Sequence, residues 1–154
     1  MKKILFVCHG NICRSPMAEF VFRDMVKKQG ISSEFIIESV ATSSEELGSP
    51  PHRGTKAKLH EAGIRTDGKY AVRLEPRDYQ KYDYLVGMDK RNIINMLRIC
   101  GGDPEHKIQR LLDFTNHPGD IADPWYSGNF DVTYRDVLEG CQALLLYIQQ
   151  GGRK

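Results

Sequence analysis

The chain has 154 residues, with Lys+Arg 22 against Asp+Glu 20 for a net charge of +2, and is 40% hydrophobic and 27% charged. That composition excludes a disordered or fibrous chain, and the near-neutral balance lacks the basic footprint of a nucleic-acid-binding domain. The length suits one domain, residues 1–154, able to bury a core without disulfide or metal staples.

Ile4-Leu5-Phe6-Val7 is a short, continuous apolar run, the pattern of a strand buried on both faces of a parallel sheet. It is too short for the core of a secretion signal, and no stretch approaches the ~18 apolar residues of a membrane span. The expected location is therefore the cytoplasm, with no membrane partner, where Cys8, Cys13, Cys100 and Cys141 read as free or redox-active thiols. The run stops at Cys8-His9-Gly10-Asn11. Ser15 is the expected N-cap and Pro16 the first helical residue, after which Met17, Phe20, Val21 and Met25 recur at helical spacing until Gly30.

Phe35-Ile36-Ile37 predicts a second strand, Ser43–Pro51 a polar loop, and Arg53–Ala62 a helix stopped by Gly63. Tyr82–Met88 predicts a third strand, followed by an Asp89-capped helix that ends near Cys100-Gly101-Gly102, and Ile108–Leu112 a fourth strand. Asp113–Asp131 reads as the longest loop, a length that points to function. Val137, Cys141, Leu144, Leu145 and Ile148 form one face of a closing amphipathic helix, which makes Cys141 a core thiol. Alternating strands and helices imply an α/β domain with right-handed crossovers and a four-stranded parallel sheet covered by helices on both faces. Ligands of such sheets bind beyond the carboxyl ends of the strands, and the loop at Cys8 is the first such end.

Between a buried strand and a helix N-terminus, Cys8-His9-Gly10-Asn11-Ile12-Cys13-Arg14-Ser15 has the makings of a phosphate-binding loop. Its backbone N–H groups, curled by Gly10 and Asn11, can nest a phosphate-sized dianion, and Arg14 can add a bidentate fork. A Cys8 sulfur aimed into that nest has its thiolate stabilised, the condition for a nucleophile at neutral pH. The chain has no Gly-Lys-Ser/Thr ending of a Walker loop, and its cysteines lack the spacing of a thioredoxin-type pair. His9, His52, His60, His106 and His117 lack zinc-ligand spacing, so neither metal nor cofactor is expected. Ser15 can also hydrogen-bond the Cys8 sulfur, and Asn11 reads as scaffolding in a left-handed conformation.

Val7-Cys8-His9-Gly10-Asn11-Ile12-Cys13-Arg14-Ser15-Pro16 resembles the signature loop of the low-molecular-weight protein tyrosine phosphatases, and Asp123-Pro124-Trp125-Tyr126 resembles their second motif. The resemblance covers essentially the whole chain. It implies a sheet in the order 2-1-3-4 and hydrolysis of phosphotyrosine in tyrosine-phosphorylated proteins, through a cysteinyl-phosphate intermediate. It also implies Cys8 as nucleophile, Arg14 as phosphate clamp and Asp123 as general acid. On residues alone, Asp113, Asp120 and Asp123 compete for that last role, which is needed because a phenolate near pKa ~10 leaves poorly. The resemblance further implies that Cys13 can form a disulfide with Cys8. Trp125 and Tyr126, together with Glu45 and Glu46 on the loop at the slot's edge, are the expected walls for the phenyl ring.

Two departures stand out. Relatives often carry His-x-Ala-Arg where this chain has Lys69-Tyr70-Ala71-Val72-Arg73, which puts support of the phosphate loop by that histidine in doubt. Relatives also often place an aromatic residue at Glu45, and negative charge there implies a preference for basic residues beside the phosphotyrosine. Two other activities occur on this fold. A protein-arginine phosphatase resembles the loop but has Thr at Ile12, and an arsenate reductase needs a further close cysteine pair, whereas Cys100 and Cys141 are far apart in the chain. A non-catalytic phosphopeptide-binding module is opposed by the presence of Cys8, Arg14 and Asp123 together. The oligomeric state is not legible.

Overall fold

Strand β1 (Lys2–Cys8) runs through the middle of the sheet, and Ile4 to Val7 are fully buried, as a continuous apolar run requires. The structure is a computed structural model that describes residues 1–152. Beside β1 lie the parallel strands β2 (Phe35–Ala41), β3 (Tyr84–Gly87) and β4 (Ile108–Arg110), in the order β2-β1-β3-β4 that the resemblance implied. The chain leaves β1 toward β2 and returns on the other side as β3. The strand order thus reverses beside β1, which opens a crevice at its carboxyl end, where Cys8 pairs with Ala41.

The side chains of β1 alternate between two cores. Ile4, Phe6 and Cys8 join Met17 and Phe22 of α1 (Arg14–Lys28), Leu59 of α2 (Arg53–Glu61), and Cys141 and Leu144 of α6 (Phe130–Gln149). Leu5 and Val7 face Tyr79 of α3 (Asp78–Lys81) and Met96 of α4 (Lys90–Cys100). Each large apolar side chain buried this way contributes roughly 1.5–3 kcal/mol. Cys141 is a core thiol, as its place on the closing helix predicted, and burial alone pushes it up. Among the described residues no helix is long and apolar enough to cross a membrane.

Several expectations need correction. Ser15 does not cap α1, because the N-cap position is Cys13 with no side-chain bond and Ser15 turns inward from the first turn. The predicted third strand is shorter: Tyr82 follows α3 and puts its ring into the second core. The fourth strand ends at Arg110 because Leu111–Phe114 turns into a 3-10 helix that buries Leu111 and Leu112. The long loop is interrupted by α5 (Pro124–Ser127), and α6 begins at Phe130, inside the predicted Asp113–Asp131 segment. Asp89 does cap α4, through a capping box with Asn92, and Gly101 closes that helix at φ 77.

Candidate active site

The turn from β1 into α1 sets the site. In it the left-handed residue is Asn11, at φ 59, while Gly10 stays outside the positive-φ region, so the expected curl belongs to Asn11 alone. The Asn11 side chain holds that conformation: its Oδ1 accepts from Val72 N at 3.1 Å, and its Nδ2 donates to Ser15 Oγ at 2.8 Å and Ser39 Oγ at 2.9 Å. Among the described residues the backbone N–H groups of Gly10 to Cys13 make no hydrogen bond, so they are free to serve an anion. Cys8 Sγ lies 3.0 Å from Ser15 Oγ and accepts from Ser15 N at 3.4 Å.

Arg14 is 2% exposed and reaches three partners. Its guanidinium donates to Asp89 Oδ2 at 2.6 Å, to the Ile121 carbonyl at 3.0 Å and to Asp123 Oδ2 at 3.4 Å. Burial by itself would lower this group, but the neighbouring Cys8, Asp89 and Asp123 outweigh it and raise it above its ordinary value. Asp89 Oδ1 meanwhile caps α4 by accepting from Asn92 N at 2.8 Å, so the residue that starts α4 also orients Arg14. Asp123 divides its carboxylate in the same way, its Oδ1 accepting from Trp125 N at 3.0 Å at the head of α5.

Cys8, His9, Gly10, Ile12, Cys13, Arg14, Glu45, Glu46, Asp123, Trp125 and Tyr126 line one cavity of about 90 Å³. Pockets for drug-sized ligands run to ~300–1,000 Å³, so this one suits a single anionic group, with the rest of a ligand lying across the rim. All the predicted site residues meet here except Asn11 and Ser15, which lie beneath the cavity at 1% and 0% exposure. On the rim His9 Nε2 and Glu45 Oε2 are 2.9 Å apart, and Ser43 donates through N and Oγ to the His9 carbonyl, lacing the 43–46 loop to the phosphate loop. The opposite wall is held from behind. His52 stacks on Phe130 and meets the Trp125 ring edge-on, while its N donates to the Ile12 carbonyl at 2.7 Å. The stack leaves no room for a Cβ at Gly54, which Phe130 covers.

Cys13 faces the same cavity, and burial, with Cys8 and Asp123 nearby, pushes it up to about 12 against the smaller lowering effects of Thr55 and Arg14. Sequence reasoning identified Asp89 only as a cap and missed its bond to Arg14. It also missed His52 behind Trp125 and the Glu19–Ser39–Lys69 cluster behind Asn11. Lys69, read as a departure, was the one available signal for that cluster.

Residues 3–154 match the family model described as low molecular weight phosphotyrosine protein phosphatase. The low molecular weight protein-tyrosine-phosphatase YfkJ of Bacillus subtilis is 39% identical over 152 residues, covering 97% of this chain and 97% of its own. Its crystal structure superimposes with a TM-score of 0.95 at 38% identity, covering 99% and 98% of the two chains. The Streptococcus pyogenes low molecular weight protein tyrosine phosphatase SP-PTP aligns with a TM-score of 0.87 at 40% identity over 96% of this chain and 93% of its own. A drosophila arginine phosphatase aligns at 0.86 with 26% identity, over 97% and 98% of the chains.

Proposed function

The chain belongs to the low molecular weight phosphotyrosine protein phosphatase family, and on that premise we propose that it hydrolyses phosphotyrosine in proteins with Cys8 as nucleophile, Arg14 as phosphate clamp and Asp123 as general acid. The observation that carries this reading is the single small cavity shared by all three side chains, which come from the end of β1, the start of α1 and the head of α5. The phosphoryl group sits on the free N–H groups of the loop with Arg14 across two of its oxygens. Cys8 Sγ attacks phosphorus, an S–P bond forms, and the P–O bond to the ring breaks as Asp123 gives its proton to the leaving phenol oxygen. Water then attacks the cysteinyl phosphate while Asp123 takes its proton, so inorganic phosphate leaves and the thiolate returns. The acid must be protonated while the nucleophile is ionised, which requires a bell-shaped pH dependence on the acidic side of neutrality.

The apolar Ile12 and the rings of Trp125 and Tyr126 on the cavity wall favour an aryl phosphate over phosphoarginine, the substrate that the name of the drosophila neighbour suggests. A chemistry that needs Cys8 reduced suits the cytoplasm. Cys13, on the same cavity, suits the role of redox partner. Matched peptides carrying phosphotyrosine or phosphoarginine, assayed side by side with a chelator present, test the reading. Faster release of phosphate from phosphotyrosine is expected, and preference for phosphoarginine or loss of turnover with chelator would overturn it.

A further inference from the structure

At about 90 Å³ the phosphate cavity has no room for the peptide that carries the phosphotyrosine, so the flanking residues must lie across its mouth. A second cleft, of about 370 Å³, begins there. It shares His9, Arg14, Asp123 and Tyr126 with the cavity and adds Asp89, Arg91 and Asn92 from the start of α4. Glu45 and Glu46 line the cavity and not the cleft, so the mouth carries acidic groups in one part and an arginine in another.

The charges in the cleft are not equivalent. Asp89 accepts from Arg14 at 2.6 Å and from Asn92 N at 2.8 Å. Asp123 accepts from Arg14 at 3.4 Å and from Trp125 N at 3.0 Å, and as the general acid it carries its proton when substrate binds. Arg14 is 2% exposed and committed to those carboxylates, to the Ile121 carbonyl and to the phosphoryl group. Arg91 differs from all of these. It is exposed on the first turn of α4, and among the described residues it makes no hydrogen bond or ion pair. Its donors are therefore free, and the guanidinium fork matches a carboxylate held by two bonds. No step of phosphoryl transfer uses it.

We propose that this cleft is a subsite for an acidic side chain flanking the phosphotyrosine, and that Arg91 is the residue that selects it. A carboxylate placed there pairs with the guanidinium between protein walls, where the attraction exceeds that on a flat, fully hydrated surface. Lys90 has the same charge but lines a different groove, with Ile108 and Arg110 of β4, and so does not take the place of Arg91.

The inference rests on the phosphatase reading and is tested apart from it. Peptides with a single Asp, or Asn in its place, at each position flanking the phosphotyrosine are hydrolysed by the wild type, Arg91→Gln, Arg91→Glu and Lys90→Gln. The kcat/KM of each Asp peptide is divided by that of its Asn twin. In the wild type at least one position should favour Asp by about threefold to fivefold, the scale of a partly exposed ion pair. That preference should shrink as salt rises from about 50 to about 500 mM. Arg91→Gln should bring the ratio to about one, and Arg91→Glu, which suits the first turn of a helix, should take it below one. Lys90→Gln should keep at least about half of the wild-type ratio, since only general charge is lost. A ratio near one at every position in the wild type, a wild-type ratio in Arg91→Gln, or equal losses in Lys90→Gln and Arg91→Gln overturns the proposal and leaves the phosphatase reading standing. No release of phosphate from any peptide overturns both.

Discussion

Beneath Cys8, Ser15, Asn11, Ser39 and Glu19 are all at 3% exposure or less and their side chains are hydrogen-bonded to one another in that order, whereas across the cavity Trp125 and Tyr126 are 55% and 83% exposed on a four-residue helix. The floor derives from three segments locked by polar bonds in a low-dielectric setting, where such bonds are strong and costly to break. The rim derives from short loops held by one helix cap, a ring edge on His52, the Ser43 bonds to the His9 carbonyl and an exposed His9–Glu45 contact. The division fits the two demands of the chemistry. Phosphate is the same in every substrate and rewards preorganised donors, while the surrounding peptide varies and needs walls that can adjust.

Separating floor from nucleophile gives the largest expected effect. Cys8→Ser is expected to abolish turnover by about 10⁴-fold or more, as loss of a covalent nucleophile does, while phosphate or tungstate still binds within about threefold of wild type. In the proposed mechanism the loop N–H groups and Arg14 hold the anion, and the substitution leaves them in place. Isothermal titration beside an activity assay reads both. Residual activity above a trace would show that another group attacks phosphorus.

The floor was legible in part. The apolar run Ile4–Val7, the polar turn after it and the capped helix at Asp89 are local signals, and the strands and helices they predict are present. Ser15 was misread because a serine before proline has the local look of a cap, while its inward turn depends on a sulfur that only the folded loop presents to it. The Lys69–Glu19 pair joins residues from distant parts of the chain, and the departure at Lys69 was its one signal in the sequence. The short strands β3 and β4 likewise end where tertiary packing of Tyr82 and Leu111 wins over local β preference.

The rim is tested by its acid. Without a proton donor, Asp123→Ala must expel an unprotonated leaving group, so hydrolysis of phenyl phosphate is expected to fall by ~10²–10⁴-fold. Nitrophenyl phosphate, whose leaving group is stable as an anion, should lose far less. Equal losses on the two esters would indicate that Asp123 acts through its other contacts, the Trp125 cap and Arg14, and not by proton transfer.

The smallest effect on catalysis is expected where floor and rim meet, at Cys13. Its side chain faces the cavity but has no role in the proposed phosphoryl transfer, so Cys13→Ser should keep kcat/KM within about twofold. Oxidation is where it should matter. Peroxide converts the Cys8 thiolate to a sulfenic acid and releases hydroxide, and Cys13, as its thiolate, then attacks that sulfur, forming the disulfide and expelling hydroxide. At neutral pH Cys13 is almost wholly a thiol, since burial, Cys8 and Asp123 push it up to about 12. Once Cys8 is oxidised and neutral, its share of that push is gone, so the capture step is aided by the oxidation that requires it. Only the thiolate attacks, and its fraction rises roughly tenfold per pH unit below the pKa, so capture should quicken steadily from pH 6 to 9. Bound phosphate should slow the first step by covering the sulfur. Peptide mapping after mild peroxide should find Cys8 linked to Cys13, with dithiothreitol restoring activity in the wild type. In Cys13→Ser the same peroxide should carry Cys8 on to forms that dithiothreitol does not reduce. Full recovery of that variant would leave Cys13 with a packing role alone.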